Sequence, residues 1–165
     1  MSRSTIAIAI ICITFSAPLS AQGPSAGDGV RMGISTGGIS TVALTLEFYR
    51  DNRSLDLSIG TRSFHHLSVS VTARQYFGSS HVKPVAGAGL WLAVAPLGPN
   101  REGTGMALVL RVPIGLDWSF ANSHATGLVL NLNRGLWLKR SDPRDNLPMN
   151  GRLVPLPELY YRFSR

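Results

Sequence analysis

The sequence predicts an all-β fold, an eight-stranded antiparallel up-and-down β-barrel, and three observations carry this prediction. Apolar and polar residues alternate with a period of two over most of the chain, and no long stretch keeps the i, i+3, i+4 spacing of a helix. Turn residues divide the alternating stretches into eight strands, enough to close a small barrel filled by its own side chains. The connections between the strands follow a regular pattern of length. At 165 residues the chain has the length of one domain.

The eight predicted strands follow one another along the chain. They span residues 29–36, 41–50, 53–62, 67–77, 84–95, 105–120, 124–138 and 155–163. The second, fourth and sixth connections are the short "DN", "GSSHVK" and "ANS", whereas both long connections, 96–104 and 139–154, are odd-numbered. Barrels of bacterial outer membranes have short periplasmic turns and longer outer loops. The pattern therefore predicts a transmembrane barrel with both termini at the short-turn end.

Residues 1–21 have the three parts of a secretory signal peptide. Arg3 supplies the positive charge, "IAIAIICITF" (6–15) the apolar core, and Ser20-Ala21 the small residues of a cleavage site. The apolar run is shorter than the roughly 20 residues that span a bilayer. We therefore expect a mature barrel domain of residues 22–165, located in the bacterial outer membrane. Cys12 is removed with the signal, so we expect no disulfide and no cysteine metal site, and no cofactor.

The charge balance is basic but contains almost no lysine. The chain has 16 Lys and Arg against 9 Asp and Glu, and only Lys83 and Lys139 are lysines. A soluble surface normally mixes lysine and glutamate, and this chain lacks that mixture. A basic protein can bind nucleic acid, but a secretory signal argues against that partner, and none is expected.

The apolar parity of the strands is predicted to face lipid. In "LVLRVPIGLDWSF" (108–120) seven apolar side chains share one parity, while Arg, Pro, Gly, Asp and Ser lie on the other, with Val109. A lipocalin-like barrel would turn its apolar parity inward and present Lys and Glu to water. Glycines and serines instead suit a narrow interior. A periplasmic lipocalin-like ligand carrier remains an alternative.

Aromatic residues on the outward parity gather at the short-turn end. Rings at this level anchor transmembrane barrels among lipid headgroups. The predicted aromatic girdle consists of Phe48, Phe77, Trp118, Phe120, Tyr161 and Phe163.

The inward parity carries charges of both signs. Isolated charges in a narrow lumen are costly, so we expect them to form ion pairs. The predicted lumen network consists of Arg31, Glu47, Asp56, Arg74, Arg111, Asp117, Glu158 and Arg162, and Arg62 shares their parity. An ion path also fits this composition, but eight strands leave no aqueous channel wide enough for ordinary solutes, so we expect a closed, salt-bridged polar interior.

Two residues conflict with the simple alternation. Pro113 cannot donate to a strand ladder, and a closed barrel has no edge strand, so we predict a β-bulge there. Arg134 lies on the outward parity among leucines. Either a bulge near Gly135 turns it inward, or its side chain extends to the outer headgroups.

Three segments carry a resemblance to a known family. "ARQYFGSSHVKPVAGAGLW" (73–91) is similar to a recurrent barrel hairpin in which an Arg-aromatic-Phe strand end leads into K-P-x-x-G-x-G. "RVPIGLDWSF" (111–120) is similar to a segment of short bacterial outer-membrane proteins of unassigned function. "ELYYRF" (158–163) resembles a C-terminal assembly signal, although Ser164 and Arg165 follow it. The chain thus resembles small eight-stranded outer-membrane barrel proteins of the OmpA-domain and OmpX-like kind. The resemblance implies a structural, envelope-maintenance or surface-interaction role, contact with outer-membrane lipid, and folding by the barrel-assembly machinery.

A lipid-modifying enzyme is the alternative from another class. "HATGLVLNLN" from His124 faintly resembles the strand of lipid A deacylases, but Thr126 stands where those enzymes have serine. Fourteen residues past His124 the chain has Leu138 instead of an acidic residue. His66 and Ser68 also lack an obvious acidic partner, so no catalytic residue is assigned. His65 and His66 are adjacent on the chain, and neighbouring strand residues point to opposite faces, so no metal site is expected.

Basic residues at the predicted outer end suggest contact with lipopolysaccharide phosphates. They are Arg101, Arg134, Lys139, Arg140, Arg144 and Arg152. The long connections 96–104 and 139–154 are equally suited to an extracellular protein partner.

Overall fold

The structure, a computed structural model, describes residues 29–62, 66–95, 104–121, 123–140 and 151–164. Its strands are β1 (Gly29–Gly37), β2 (Ser40–Arg50), β3 (Arg53–Thr61), β4 (Leu67–Tyr76), β5 (Val82–Ala95), β6 (Gly105–Ala121), β7 (His124–Lys139) and β8 (Val154–Ser164). Each pairs antiparallel with its neighbour in sequence, and β8 pairs with β1. The all-β, eight-stranded up-and-down barrel predicted from the sequence is confirmed. The predicted signal segment 1–21 lies outside the described residues.

The strands bury alternate residues, as the period of two requires. In β2, Thr45 and Glu47 are buried, whereas Leu44 and Phe48 are exposed. Across the described residues, 28 large hydrophobic side chains are exposed and 17 polar or charged residues are buried. The usual arrangement of a soluble protein is therefore inverted, with the polar face inside. No helix among the described residues is long and apolar enough to cross a membrane.

Pro113 does not cause the predicted β-bulge. Ala86 pairs with Ile114 and Gly89 pairs with Arg111, so the register of β5 and β6 is the same on both sides of the proline. Only the two intervening pairs are missing from the ladder. A β-carbon at Gly87 would lie 3.2 Å from the Pro113 ring. The buried proline therefore fits without a bulge because the strand beside it has no side chain at that point.

Arg134 lies on the outside of the barrel, where it pairs with Leu110 and is exposed. The register of β6 and β7 shifts just beyond it, between Leu108 and Val109, which leaves Leu136 as the extra residue. The predicted bulge near Gly135 is present, but it does not turn Arg134 inward. The alternative, an outward arginine, is the arrangement observed.

Arg62 is not in the lumen, although it shares the inward parity. It follows the end of β3 and is exposed, and its N–H donates to the carbonyl of His66 at 3.4 Å. The strand ends one residue earlier than predicted, so the alternation no longer fixes the direction of this side chain.

Candidate functional site

The lower part of the lumen, toward the short turns, is organised around Arg162. Its Nη2 lies 2.7 Å from Asp56 Oδ2, and its Nη1 lies 3.2 Å from Glu47 Oε1. Nη1 also donates to the Tyr76 hydroxyl at 2.7 Å, and that hydroxyl donates to Glu47 Oε1. All four side chains are almost completely buried. Arg162 on β8 therefore links carboxylates on β2 and β3 across the β8–β1 pair that closes the barrel.

Two further arginines flank this centre. Arg31 Nη1 lies 3.6 Å from Glu47 Oε2, and Arg74 Nη2 lies 3.6 Å from Asp56 Oδ2. Both distances exceed a normal hydrogen bond, so these pairs are held by charge more than by donor geometry. The Arg31 guanidinium also lies 4.0 Å from the centre of the Tyr49 ring, a cation–π contact.

Tyr160 holds the remaining carboxylate of the lower lumen. Its hydroxyl donates to Asp117 Oδ2 at 2.8 Å, and the Arg162 guanidinium lies 4.0 Å from its ring centre. Gly127 pairs with Tyr160 across the β7–β8 ladder, and the ring occupies the space where a β-carbon of Gly127 would be. The glycine is required by this close approach.

A second, smaller cluster lies toward the long-loop end. Arg111 Nη2 is 2.5 Å from Glu158 Oε2, and Asn131 bridges the pair. Arg111 Nε donates to Asn131 Oδ1 at 2.7 Å, and Asn131 Nδ2 donates to Glu158 Oε2 at 2.8 Å. The buried Trp91 ring lies 4.5 Å from the guanidinium and packs against Gly38 in the β1–β2 turn.

The lumen is electrically balanced within these two clusters. The lower cluster holds three arginines and three carboxylates, and the upper cluster holds one of each. All eight residues of the predicted lumen network lie inside the barrel. The geometry can hold these buried charges in fixed positions within an interior that eight strands leave narrow.

The predicted girdle residues all lie on the outer surface, with 39% to 52% of each side chain exposed. Three of them contact His124. Its ring stacks 5.9 Å from Phe120 and lies 5.2 Å from Phe163, and its Nδ1 is 2.6 Å from the Tyr161 hydroxyl. Trp118 lies 5.8 Å from Phe120. His124 is therefore part of the girdle, a position that sequence analysis did not assign to it.

The predicted lipopolysaccharide contacts are only partly described. Arg134 and Lys139 are exposed on β7, near the exposed Leu136 and Trp137. Arg140 and Arg152 stand at the bases of the last long loop. Arg101 and Arg144 lie outside the described residues, as do most of the connections 96–104 and 139–154.

The candidate enzyme residues do not come together. Thr126 donates its hydroxyl to the carbonyl of Tyr160 at 2.9 Å, while His124 bonds to Tyr161. Ser68 is buried in the lumen, hydrogen-bonded to Ser40, whereas His66 is exposed. Within the described part of the chain, no group of three or more His, Cys, Asp or Glu residues is arranged to hold a metal ion.

Sequence analysis missed the uncharged members of the lumen clusters. Tyr76, Tyr160, Asn131 and Trp91 contribute hydrogen bonds or ring contacts to every arginine of the interior except Arg31. All four lie on the inward parity, so the signal was present in the alternation.

Comparison with known proteins supports the fold and gives no information beyond it. No family model and no curated protein matches the sequence. Among solved structures, the chain is similar to the N-terminal β-barrel domain of Pseudomonas aeruginosa OprF, with a TM-score of 0.64 at 16% identity. The match covers 84% of this chain and 98% of that domain. The resemblance to small eight-stranded OmpA-like barrels is thus confirmed at the level of the fold.

Proposed function

We propose that this protein is an integral barrel of the bacterial outer membrane with a structural, envelope-maintenance or surface-interaction role. The observation that carries the proposal is the inverted polarity of the barrel. Exposed apolar side chains such as Leu44, Ile59 and Leu128, each 58% or more exposed, cover its outside. So much exposed apolar surface is unfavourable in water, and monomeric soluble proteins avoid it. The likeness to the OprF barrel domain supports the same location.

The lumen supports a closed barrel instead of a channel for solutes. Arg162 on β8 contacts Asp56 on β3, and Arg111 on β6 contacts Glu158 on β8, so each arginine connects strands that are not adjacent in the barrel. A lipocalin-like carrier would require an apolar cavity inside, and the buried residues here are largely polar or charged. An enzyme would require a nucleophile, a histidine and a carboxylate converging at one site, which Thr126 and His124 do not provide.

The test is fractionation followed by electrophoresis. The full chain is expressed in a Gram-negative host, and membranes are extracted with and without detergent. We expect recovery in the outer-membrane fraction, release only by detergent, and faster migration of the unheated than of the heated sample. In planar bilayers we expect no steady solute-sized conductance. A chain that is soluble without detergent, or whose mobility is unaffected by heat, would contradict the proposal.

We further propose that the long-loop end contacts lipopolysaccharide phosphates through Arg134 and Lys139. Both are exposed on β7, and the nearby exposed Trp137 suits the interface between lipid chains and headgroups. Replacing both by serine is expected to weaken binding of lipopolysaccharide to the refolded barrel. Replacing Arg50 and Arg53, at the opposite end, by serine provides the control and is expected to leave binding unchanged. This contact would be contradicted if the Arg134/Lys139 double variant bound lipopolysaccharide as tightly as the Arg50/Arg53 double variant.

A further inference from the structure

A cavity opens at the short-turn end of the barrel, below the lower cluster. It has a volume of about 480 Å³, and its lining includes Arg31, His81, Lys83, Ser119 and Ser123. We call it the basal pocket. Its volume is in the range of cavities that bind small molecules. It reaches the girdle as well as the lumen, because Phe120 and His124 also line it.

Among the described residues that line it, the basal pocket has arginine and lysine side chains and no carboxylate. Two carboxylates of the lower cluster already accept hydrogen bonds inside the lumen: Glu47 accepts from Arg162 and Tyr76, and Asp117 accepts from Tyr160. Asp117 pairs with Lys83 in the β5–β6 ladder but is only 1% exposed. Within the described part of the chain, the Lys83 side chain makes no hydrogen bond or ion pair.

The arrangement has the chemistry of an anion site. Arg31 offers a planar set of donors, and its side chain keeps 14% exposure beside its ion pair with Glu47 at 3.6 Å. Lys83 offers a mobile ammonium, and the serines offer hydroxyl donors. Arginine, lysine and hydroxyl groups together are the donors that recognise phosphate oxygens.

We propose that the basal pocket binds a phosphate group, carried either by a soluble phosphate compound or by the headgroup of a glycerophospholipid. Both sources reach this end of the molecule, since the pocket opens to the aqueous side and also touches the girdle. The lipid source rests on the proposed function, because it requires the barrel to lie in a membrane.

The test is an NMR titration of the full barrel refolded in micelles of a detergent without phosphate. One arm adds sodium phosphate, with sodium chloride at equal ionic strength as reference. The other arm dopes the micelles with phosphatidic acid, with diacylglycerol as reference. We expect saturable shifts of the Lys83 and Ser119 amides in at least one arm. Saturable shifts only in the phosphate arm identify a soluble ligand. Saturable shifts only in the phosphatidic acid arm identify a lipid headgroup.

Lys83→Ala is expected to weaken the response about tenfold, as loss of one charge-assisted contact implies, and Lys83→Arg to restore it. Arg53→Ala removes one exposed positive charge at the same end of the barrel, from a residue outside the described lining of the pocket, and is expected to titrate like the wild type. Heat-dependent mobility shows that each variant is folded. The inference is overturned if neither arm gives saturable shifts, if chloride reproduces them, or if Lys83→Ala titrates like the wild type. The phosphate arm needs no membrane, so its failure is distinguishable from failure of the proposed function.

Discussion

Replacing Arg162 by methionine is predicted to be the most destabilising single change in the lumen. Methionine keeps the apolar part of the side chain but removes the guanidinium that contacts Asp56 at 2.7 Å and Glu47 at 3.2 Å. Both carboxylates are at most 1% exposed, so neither gains water in exchange. The lower cluster changes from three positive and three negative charges to two against three.

The expected cost follows from what remains around the two carboxylates. Removing one partner of a buried ion pair typically costs about 3–5 kcal/mol. Arg31 and Arg74 stay 3.6 Å from Glu47 and Asp56, and each can close part of that gap. We therefore expect a loss near the lower limit, about 3 kcal/mol in the free energy of unfolding. Arg31→Met removes one longer, partly exposed pair and should cost about 1 kcal/mol.

The assay is urea unfolding in phospholipid vesicles, followed by tryptophan fluorescence and by heat-dependent mobility. A double-mutant cycle isolates the pair. Arg162→Met combined with Asp56→Asn leaves the lower cluster with two charges of each sign. The double variant should be more stable than the sum of the single losses predicts, by about 2 kcal/mol.

Two outcomes would refute this reasoning. If Arg162→Met lowered the free energy of unfolding no more than Arg31→Met does, burial would not strengthen the ion pairs of Arg162. Strict additivity of Arg162→Met and Asp56→Asn would mean that the two groups do not interact, despite the 2.7 Å separation.

The lipid-facing and tightly packed positions give further predictions. Leu44 lies midway along β2 and is 68% exposed, and Leu44→Arg should destabilise the barrel in vesicles by about 2–4 kcal/mol. Val30 pairs with the girdle residue Phe48, and Val30→Arg should cost only about 0–1 kcal/mol. Equal costs would show that depth in the lipid does not matter. Gly127→Ala should cost about 1–3 kcal/mol, because its β-carbon overlaps the Tyr160 ring. Gly151→Ala, with no atom within 4 Å, should stay within about 0.5 kcal/mol. The melting temperature is the temperature at which the fast-migrating folded form is lost in electrophoresis. A higher melting temperature for Gly127→Ala than for Gly151→Ala would contradict the close contact of Gly127 with Tyr160.

The strands and their faces were predictable because the alternation is a local property of the chain. Apolar and polar residues specify which side of each strand faces the lumen without any knowledge of its neighbours. Strand ends were predicted less accurately. The predicted strand 84–95 began two residues late, because Val82 and Lys83 still pair with Trp118 and Asp117.

The pairing inside the lumen was not predictable from the alternation. Parity places Arg162 and Glu47 inside, but they are 115 residues apart, and their contact depends on the stagger between strands around the closed barrel. The same stagger brings Asn131 between Arg111 and Glu158. The effect of Pro113 was also beyond a local rule, because it depends on Gly87 in the neighbouring strand.

The central claim is that the apolar parity faces lipid and the polar parity faces the lumen. The chain has three tryptophans, of which Trp118 and Trp137 are outside, about half exposed, and Trp91 is inside, 2% exposed. The direct measurement is fluorescence quenching by brominated lipids in vesicles, using three variants that each keep one tryptophan and replace the others with phenylalanine. We predict strong quenching of Trp118 and Trp137 and little quenching of Trp91. Strong quenching of Trp91 with the other two protected would show that the barrel is inside out.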